Sequence, residues 1–549
     1  MEELPSLLLP LLLLAMSIEP VLSETGGSGD RFQKILAGGL LLLSALAAFV
    51  TGPLEFHGPA LFVLDSFHQI RFELQAGWLT IGLLGAFVCY SVWEQRASWS
   101  RNNRLTVIAT ALFLLADHFA LQLLAGVWLF VLLLREAVRK HESAGVAAGL
   151  GLFAMLFLLL CAGLLAFDVG ADSWSGLTST LQANDNWSAH ELSLLKLASF
   201  FLIFSVVILT GLAPLQALWI AAERREAKLR AREFVSFLLA IGLLDRGRGL
   251  LIWASTSQFA VSLAFVTFLM AALCAPFQLG SQRIARTLFA SNFALAMTGM
   301  LGTDDVAFAA GVCHAIVSCG VFIVHSDENF VRSNFARGMT LLIPFGGLSG
   351  AFLLLNAGTP AGIGFELLGL LAWMTLGLTQ TQYVRNRQIS AVDRTGNPPL
   401  LPMAVMLGIA PVVTWGSVTA QSGISAAIER IWLIPEAILA GVTGIAIGWT
   451  VGCARPAGEW LAERVPGVSR IFERQFYLRE FVLGTVRIPG GICLASFEWG
   501  REGVLRAIRL WKNFRSQRHE SHEESARWEL LRGLACAAVL LIVFLWMGR

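Results

Sequence analysis

Ionisable side chains set inside apolar runs are the residues of this sequence most able to do chemistry. A charge in a hydrocarbon layer is costly, so such residues are rare and mark proton or cation paths. A path needs several of them at mid-depth, linked by water. Asp117 and His118 stand together between two apolar runs, and Lys196 lies about one turn into another. His314 lies well inside its run, Glu366 follows the pair Gly364-Phe365, and Glu436 stands beside Pro435. Each also has a plainer reading. Asp117 and His118 fit a hairpin turn at the membrane surface. Lys196 can snorkel to the interface. Glu436 fits a helix start favoured by the dipole. His314 fits a buried, neutral, hydrogen-bonded histidine. Glu366 stays open between the two readings.

Other chemistries are excluded by pattern. None of the eight cysteines forms a C-x-x-C pair, and the nine histidines do not cluster at metal-ligand spacing, so no metal site is expected. No phosphate-cradling loop and no dinucleotide fingerprint occur, so ATP drive and a nucleotide cofactor are not expected. The net charge of +2 gives no global field for nucleic acid. No nucleophile, metal or cofactor constellation marks an independent enzyme.

The elements that must position these residues are membrane helices. The 549 residues are 56% hydrophobic and 14% charged, against about 25% charged in soluble domains. Such a chain cannot clothe a water-facing surface, and in lipid a lone span must satisfy its own backbone as a helix. The fold class is therefore all-α and polytopic, with about sixteen transmembrane helices. Spans are expected near 5–22, 34–51, 76–93, 105–116, 119–134, 147–167, 194–220 and 234–245. The others lie near 250–274, 287–301, 306–325, 336–355, 361–383, 401–420, 432–452 and 529–547. The runs at 105–116 and 234–245 are too short to cross alone if straight, which predicts broken or tightly packed helices there. The first run carries Glu2 and Glu3 before it rather than basic residues, so it reads as a helix and not as a signal peptide.

Charge placement supports this map. Basic loops at 96–104, 135–141, 224–232, 282–286 and 385–394 all fall on one side. The acidic connection 168–191 and the triplet Thr303-Asp304-Asp305 fall on the other, with both termini. Residues 454–528 break the pattern. There Phe497, Val504, Leu505, Ile508 and Trp511 recur at helical spacing, with Arg501, Glu502, Arg506, Arg509 and Lys512 on the remaining faces. An amphipathic helix too polar to span is expected along the membrane surface or along neighbouring subunits.

Several stretches share one resemblance. Phe62 to Gln69 looks like a D-G-L-S segment, and Ala116-Asp117-His118 like an A-D-N turn. Pro214 to Trp219 looks like P-L-[HQ]-x-W-L, and Gln278 to Met297, with Gln278 and Arg283, like Q-x-D-x-K-R-x-L-A-Y-S. His314-Ala315 with Phe322 looks like H-A-x-x-K-A-L-L-F, and Gly358 to Phe365 like G-x-P-x-x-x-G-F. Phe476 to Glu480 looks like the F-Y-x-x-E that opens a lateral helix. In this order the chain resembles the antiporter-like membrane subunits of respiratory complex I, the distal L-type one above all, and the Mrp-type cation antiporters. The resemblance implies N-terminal helices at 1–104 and an antiporter-like helical core at 105–385. It further implies C-terminal helices at 386–453, a lateral amphipathic helix at 454–528 and a final span at 529–549. It also implies a bacterial inner membrane, with basic loops and lateral helix on the cytoplasmic side and both termini outside.

The departures bear on mechanism. The family's core glutamate falls between Val127 and Leu129, and its lysines fall at Leu209, Ser318 and Leu368. A lysine–glutamate pair in a low-dielectric core stores a shiftable pKa, and these replacements leave nothing to switch. The expected function is a membrane-arm subunit of a complex I-like or Mrp-like assembly, structural or only weakly ion-conducting. Its partners would be other membrane subunits and the lipid bilayer. One alternative is a working proton or sodium translocator using displaced residues. Another is the membrane subunit of a bicarbonate-uptake complex.

Overall fold

The computed structural model describes residues 7–17, 54–63, 69–76, 101–139, 144–183, 187–212, 230–278, 281–302 and 367–379, with single residues between 40 and 84, 304 and 318, and 443 and 467. The chain divides into two compact units, Met1–Arg479 and Glu480–Arg549, and every described residue belongs to the first. The expected spans at 34–51, 76–93, 336–355, 401–420, 432–452 and 529–547, and the lateral helix at 454–528, lie wholly or mostly outside the described residues.

After a first helix α1 (Leu8–Ser17) comes an element the all-helical expectation lacked. Strands β1 (Leu54–Val63) and β2 (Gln69–Ala76) form an antiparallel hairpin, pairing Leu54 with Ala76 and Phe56 with Leu74. In β2 the apolar residues Ile70, Phe72, Leu74 and Ala76 alternate with Arg71, Glu73 and Gln75, the period of a half-buried strand. Leu74 and Ala76 are buried. The register is irregular between His57 and Ala60, across Gly58-Pro59, where a proline without an N–H is tolerated in a strand.

The remaining described elements are helical: α2 (Arg101–Leu115), α3 (Phe119–Arg139), α4 (Ala144–Leu164), a π-turn (Leu165–Val169), α5 (Trp174–Ala183) and α6 (Ala189–Thr210). Then follow α7 (Arg230–Trp253), α8 (Ser257–Cys274) and α9 (Ser281–Met300), with a further helix α10 (Leu367–Thr379). Packing is between α2 and α3, α3 and α4, α4 and α6, α6 and α7, and α8 and α9. Residues 148–169, 189–210 and 257–277 are long and apolar enough to cross a membrane.

The solvent of this bundle is legible from its surface. On α3, Leu124, Val127, Trp128 and Val131 are exposed at helical spacing, while Leu121, Ala125, Leu129 and Leu133 on the other face are buried. On α4, exposed Phe153 and Leu156 stand beside buried Ala154, Met155 and Leu158. An outer face as apolar as the inner one belongs against lipid. The chain is an integral membrane protein.

The short apolar run at 234–245 is part of a longer helix. α7 is a single unbroken helix from Arg230 to Trp253, and Phe237 to Leu244 are buried on every side. A helix apolar all round is a central helix. Phe237 stacks on Phe289 and Phe293 of α9, each at 4.7 Å between ring centres. So the expected spans 234–245 and 250–274 are displaced. Residues 250–253 finish α7, and the next span begins at Ser257 after a turn through Ser255 at φ 54°.

The acidic connection 168–191 is ordered around α6's start. Ser188 caps the helix: its Oγ accepts from the Glu191 N–H at 3.2 Å, and its own N–H donates to Glu191 Oε2 at 2.9 Å. Ser188→Ala should therefore lower stability by about 1 kcal/mol, read as a small fall in the thermal midpoint of the purified protein. Ser188→Asp should restore it.

Candidate functional site

Among the described residues, two polar clusters interrupt the apolar bundle, one charged and one neutral. The charged one forms where α2 ends. The apolar part of α2, Leu105–Leu115, rises about 16 Å against a hydrocarbon core of about 30 Å. The turn at 116–118 is buried, with Asp117 4% and His118 5% exposed, so the carbonyls that terminate α2 need partners other than bulk water.

Neighbouring elements supply them. Asp117 N–H donates to Glu73 O of β2 at 3.0 Å, and Phe119 N–H to Asp172 O at 3.0 Å. Trp174 N–H donates to Asp117 O at 3.2 Å. Leu74 bridges to Ala116, and His118 to Ser173. The turn is thus zipped between the hairpin and the start of α5. Arg246 of α7 reaches in from the side. Its Nη1 donates to Ala116 O at 2.6 Å, and its Nη2 donates to Leu114 O and Gln75 O, each at 2.7 Å. Nη1 also lies 3.5 Å from Asp117 Oδ1, with the Arg246 and Asp117 side chains 7% and 5% exposed. Asp117 further accepts from the Ser175 N–H at 3.3 Å and from the Ser175 hydroxyl.

His118 is buried beside this pair. Its Nδ1 accepts from the Ala120 N–H at 3.2 Å, so its proton sits on Nε2, 3.8 Å from Asp172 Oδ2. Below them, Trp174 Nε1–H donates to Gln122 Oε1 at 2.9 Å, and Gln122 Nε2 to Phe113 O at 3.3 Å. Arg248, one residue pair along α7, lies over the Phe308 ring at 4.6 Å. Asp245 to Arg248 thus share the end of the bundle that carries Asp117, Asp172 and Asp304.

The neutral cluster lies among α9, α10 and residues near His314. His314 is fully buried, with Nε2 3.2 Å from Asn292 Oδ1. Asn292 spends its Nδ2 on Leu288 O at 2.9 Å, which leaves Oδ1 as acceptor and His314 Nε2 as donor. Ser318 Oγ donates to His314 O at 2.6 Å, and Trp373 lies 6.2 Å from the imidazole. The hydroxyls around it are turned back on backbone: Thr287 to Arg283 O, Thr298 to Leu295 O, Ser291 to Phe268 O. An asparagine takes up no proton in the accessible pH range, so this contact orients the histidine without itself titrating.

Of the residues singled out in the sequence, the structure brings Asp117 and His118 into one buried cluster and places His314 in the other. Lys196 is exposed on α6, two turns from its start. Glu366, Glu436, the 214–219 and 358–365 stretches and 476–480 lie outside the described residues. The positions at which the resemblance places charges hold exposed Val127 and Leu368, buried Leu129 and Leu209, and buried Ser318. Sequence reasoning missed Arg246, Asn292 and Trp373. The signal for the first was Asp245-Arg246-Gly247-Arg248, a charged break in an otherwise apolar helix.

No protein-family model and no curated protein matches this sequence. Solved structures do match its fold. A chain of the Mrp complex from Dietzia sp. is 14% identical, with 98% of this chain and 63% of that one covered and a TM-score of 0.62. This chain therefore spans under two thirds of the length of that relative. A chain of respiratory complex I from Thermus thermophilus is 16% identical over 77% of this chain and 99% of that one, TM-score 0.51. A chain of the membrane-bound sulfane sulfur reductase, an archaeal respiratory membrane complex, is 14% identical over 99% of this chain and 100% of that one, TM-score 0.54. The fold is that of a helical integral membrane subunit. In particular it is similar to the fold of these chains of the Mrp complex, respiratory complex I and the sulfane sulfur reductase.

Proposed function

We infer that this chain is a membrane-arm subunit of a multi-subunit complex of the Mrp or complex I type, and that its bundle is a structural member that conducts ions weakly or not at all. One observation carries the reading. Buried His314 has the neutral Asn292 at its Nε2, and Ser318, standing where the resemblance places a lysine, donates to the His314 backbone oxygen. Relay along a bundle needs neighbours that change charge in turn. Here the positions that the resemblance assigns to such groups hold Val127, Leu129, Leu209, Ser318 and Leu368. Replacing both partners of a buried ion pair by apolar groups need not destabilise a fold, so the architecture can outlive the pump. The basic loops, and the lateral helix expected at 454–528, are assigned to the cytoplasmic side on the charge asymmetry of the loops.

Reconstitution into vesicles with a trapped pH-sensitive dye tests the reading. Under an imposed sodium or proton gradient, wild type and His314→Ala should both give the leak of empty vesicles. Transport by wild type that falls about tenfold in His314→Ala would establish a translocator and overturn the structural role. Stoichiometric recovery of other membrane subunits in mild detergent is the second expected result.

A further inference from the structure

The Arg246 guanidinium sits among oxygens that no single element provides. Gln75 O comes from β2, Leu114 O from the last turn of α2, and Ala116 O and Asp117 Oδ1 from the turn that follows it. Two contacts fall on Nη1 and two on Nη2, so all four Nη hydrogens are taken. Three of the four distances are 2.6–2.7 Å. The carbonyls at a helix C-terminus carry the negative end of its dipole. Unwound helix ends and backbone carbonyls are what membrane proteins use to hold small monovalent cations. One carboxylate among neutral oxygens balances one positive charge.

We propose that Gln75 O, Leu114 O, Ala116 O and the Asp117 carboxylate form a cation-binding cage whose occupant is the tethered guanidinium of Arg246, and that removing this side chain turns the cage into a site for a free monovalent cation. Three orphaned carbonyls and a buried carboxylate cannot stay empty without cost. Water satisfies the carbonyls but leaves the carboxylate unbalanced, whereas a free cation does both. A guanidinium-type ion fits best because its planar fork already matches the oxygens. A bare ion of sodium's size comes next. The proposal goes beyond the assigned subunit role, since it concerns occupancy at the bundle end and holds whether or not ions cross the membrane.

The test is thermal stability of the full-length protein in mild detergent. Arg246→Ala should lower Tm by about 3–4 °C, as expected for breaking a buried charge pair in a chain of this length. Methylguanidinium chloride or sodium chloride, at constant ionic strength, should recover at least half of that fall, and choline chloride should not. Wild type should show no difference among the three salts. Adding Asp117→Asn to Arg246→Ala should abolish the recovery. Arg246→Gln, which keeps two N–H donors, follows the same rule if the alanine variant does not accumulate. An equal response to all three salts, or no response, overturns the cage.

Discussion

Asp117→Ala is expected to destabilise the protein by roughly 3–5 kcal/mol, the usual cost of leaving one member of a buried ion pair alone. Three losses coincide. The Arg246 guanidinium, 7% exposed, keeps its carbonyl partners but loses its counter-charge. The Ser175 N–H and hydroxyl lose their acceptor. The start of α5, which those bonds pin to the turn, is then held mainly by Trp174. Asp117→Asn should cost less, because an amide oxygen still accepts one of these bonds. Thermal or denaturant unfolding in detergent checks the ordering. The pair is screened little by salt, since both side chains are buried. The difference between wild type and Asp117→Ala should therefore be the same at about 0.05 M and about 0.5 M salt. Equal stability of wild type and Asp117→Ala would mean that the turn is held by its backbone bonds alone.

How much of this was legible depends on which force decides each element. Helices such as α4 and α6 follow from long apolar runs, because lipid leaves the backbone no other choice. The hairpin was written in the sequence as well. The alternation Ile70, Phe72, Leu74, Ala76 has a period of two, and Pro59 marks a break. Expecting every element of a membrane chain to be helical hid it. Yet this hairpin covers a buried turn, and the turn gives the strand partners for its backbone. Asp117 and His118 were visible as a polar turn, but its burial was not, because burial depends on what packs over the end of α2. Arg246 was invisible as a partner of Asp117, since nothing local relates residues so far apart in the chain. The neutral axis is a different case. The replacement of expected charges at Leu209 and Ser318 is plain in the sequence. Only packing shows that His314 meets Asn292.

Gly311→Ala is expected to have the other large effect, and it acts on the His314 site without touching it. A Cβ at 311 would lie 2.6 Å from Ala296 O and 2.9 Å from Met300 N. Both are backbone atoms of α9, which cannot swing aside as a side chain can. Ala296 is one turn beyond Asn292, and Gly311 one turn before His314, so the clash falls on the face that brings this pair together. Overpacking of this kind costs about 1–3 kcal/mol, and the residues near His314 must move away from α9 to relieve it. The His314–Asn292 bond, at 3.2 Å, breaks early in such a shift. That would leave a buried imidazole donor unpaired, a further cost of about 1–3 kcal/mol. Unfolding of Gly311→Ala and Asn292→Leu, singly and together, separates the two terms. If the glycine acts by holding the pair in register, Asn292→Leu should cost less in the Gly311→Ala background than in wild type. Strict additivity would show instead that the glycine serves only the close approach of the two helices.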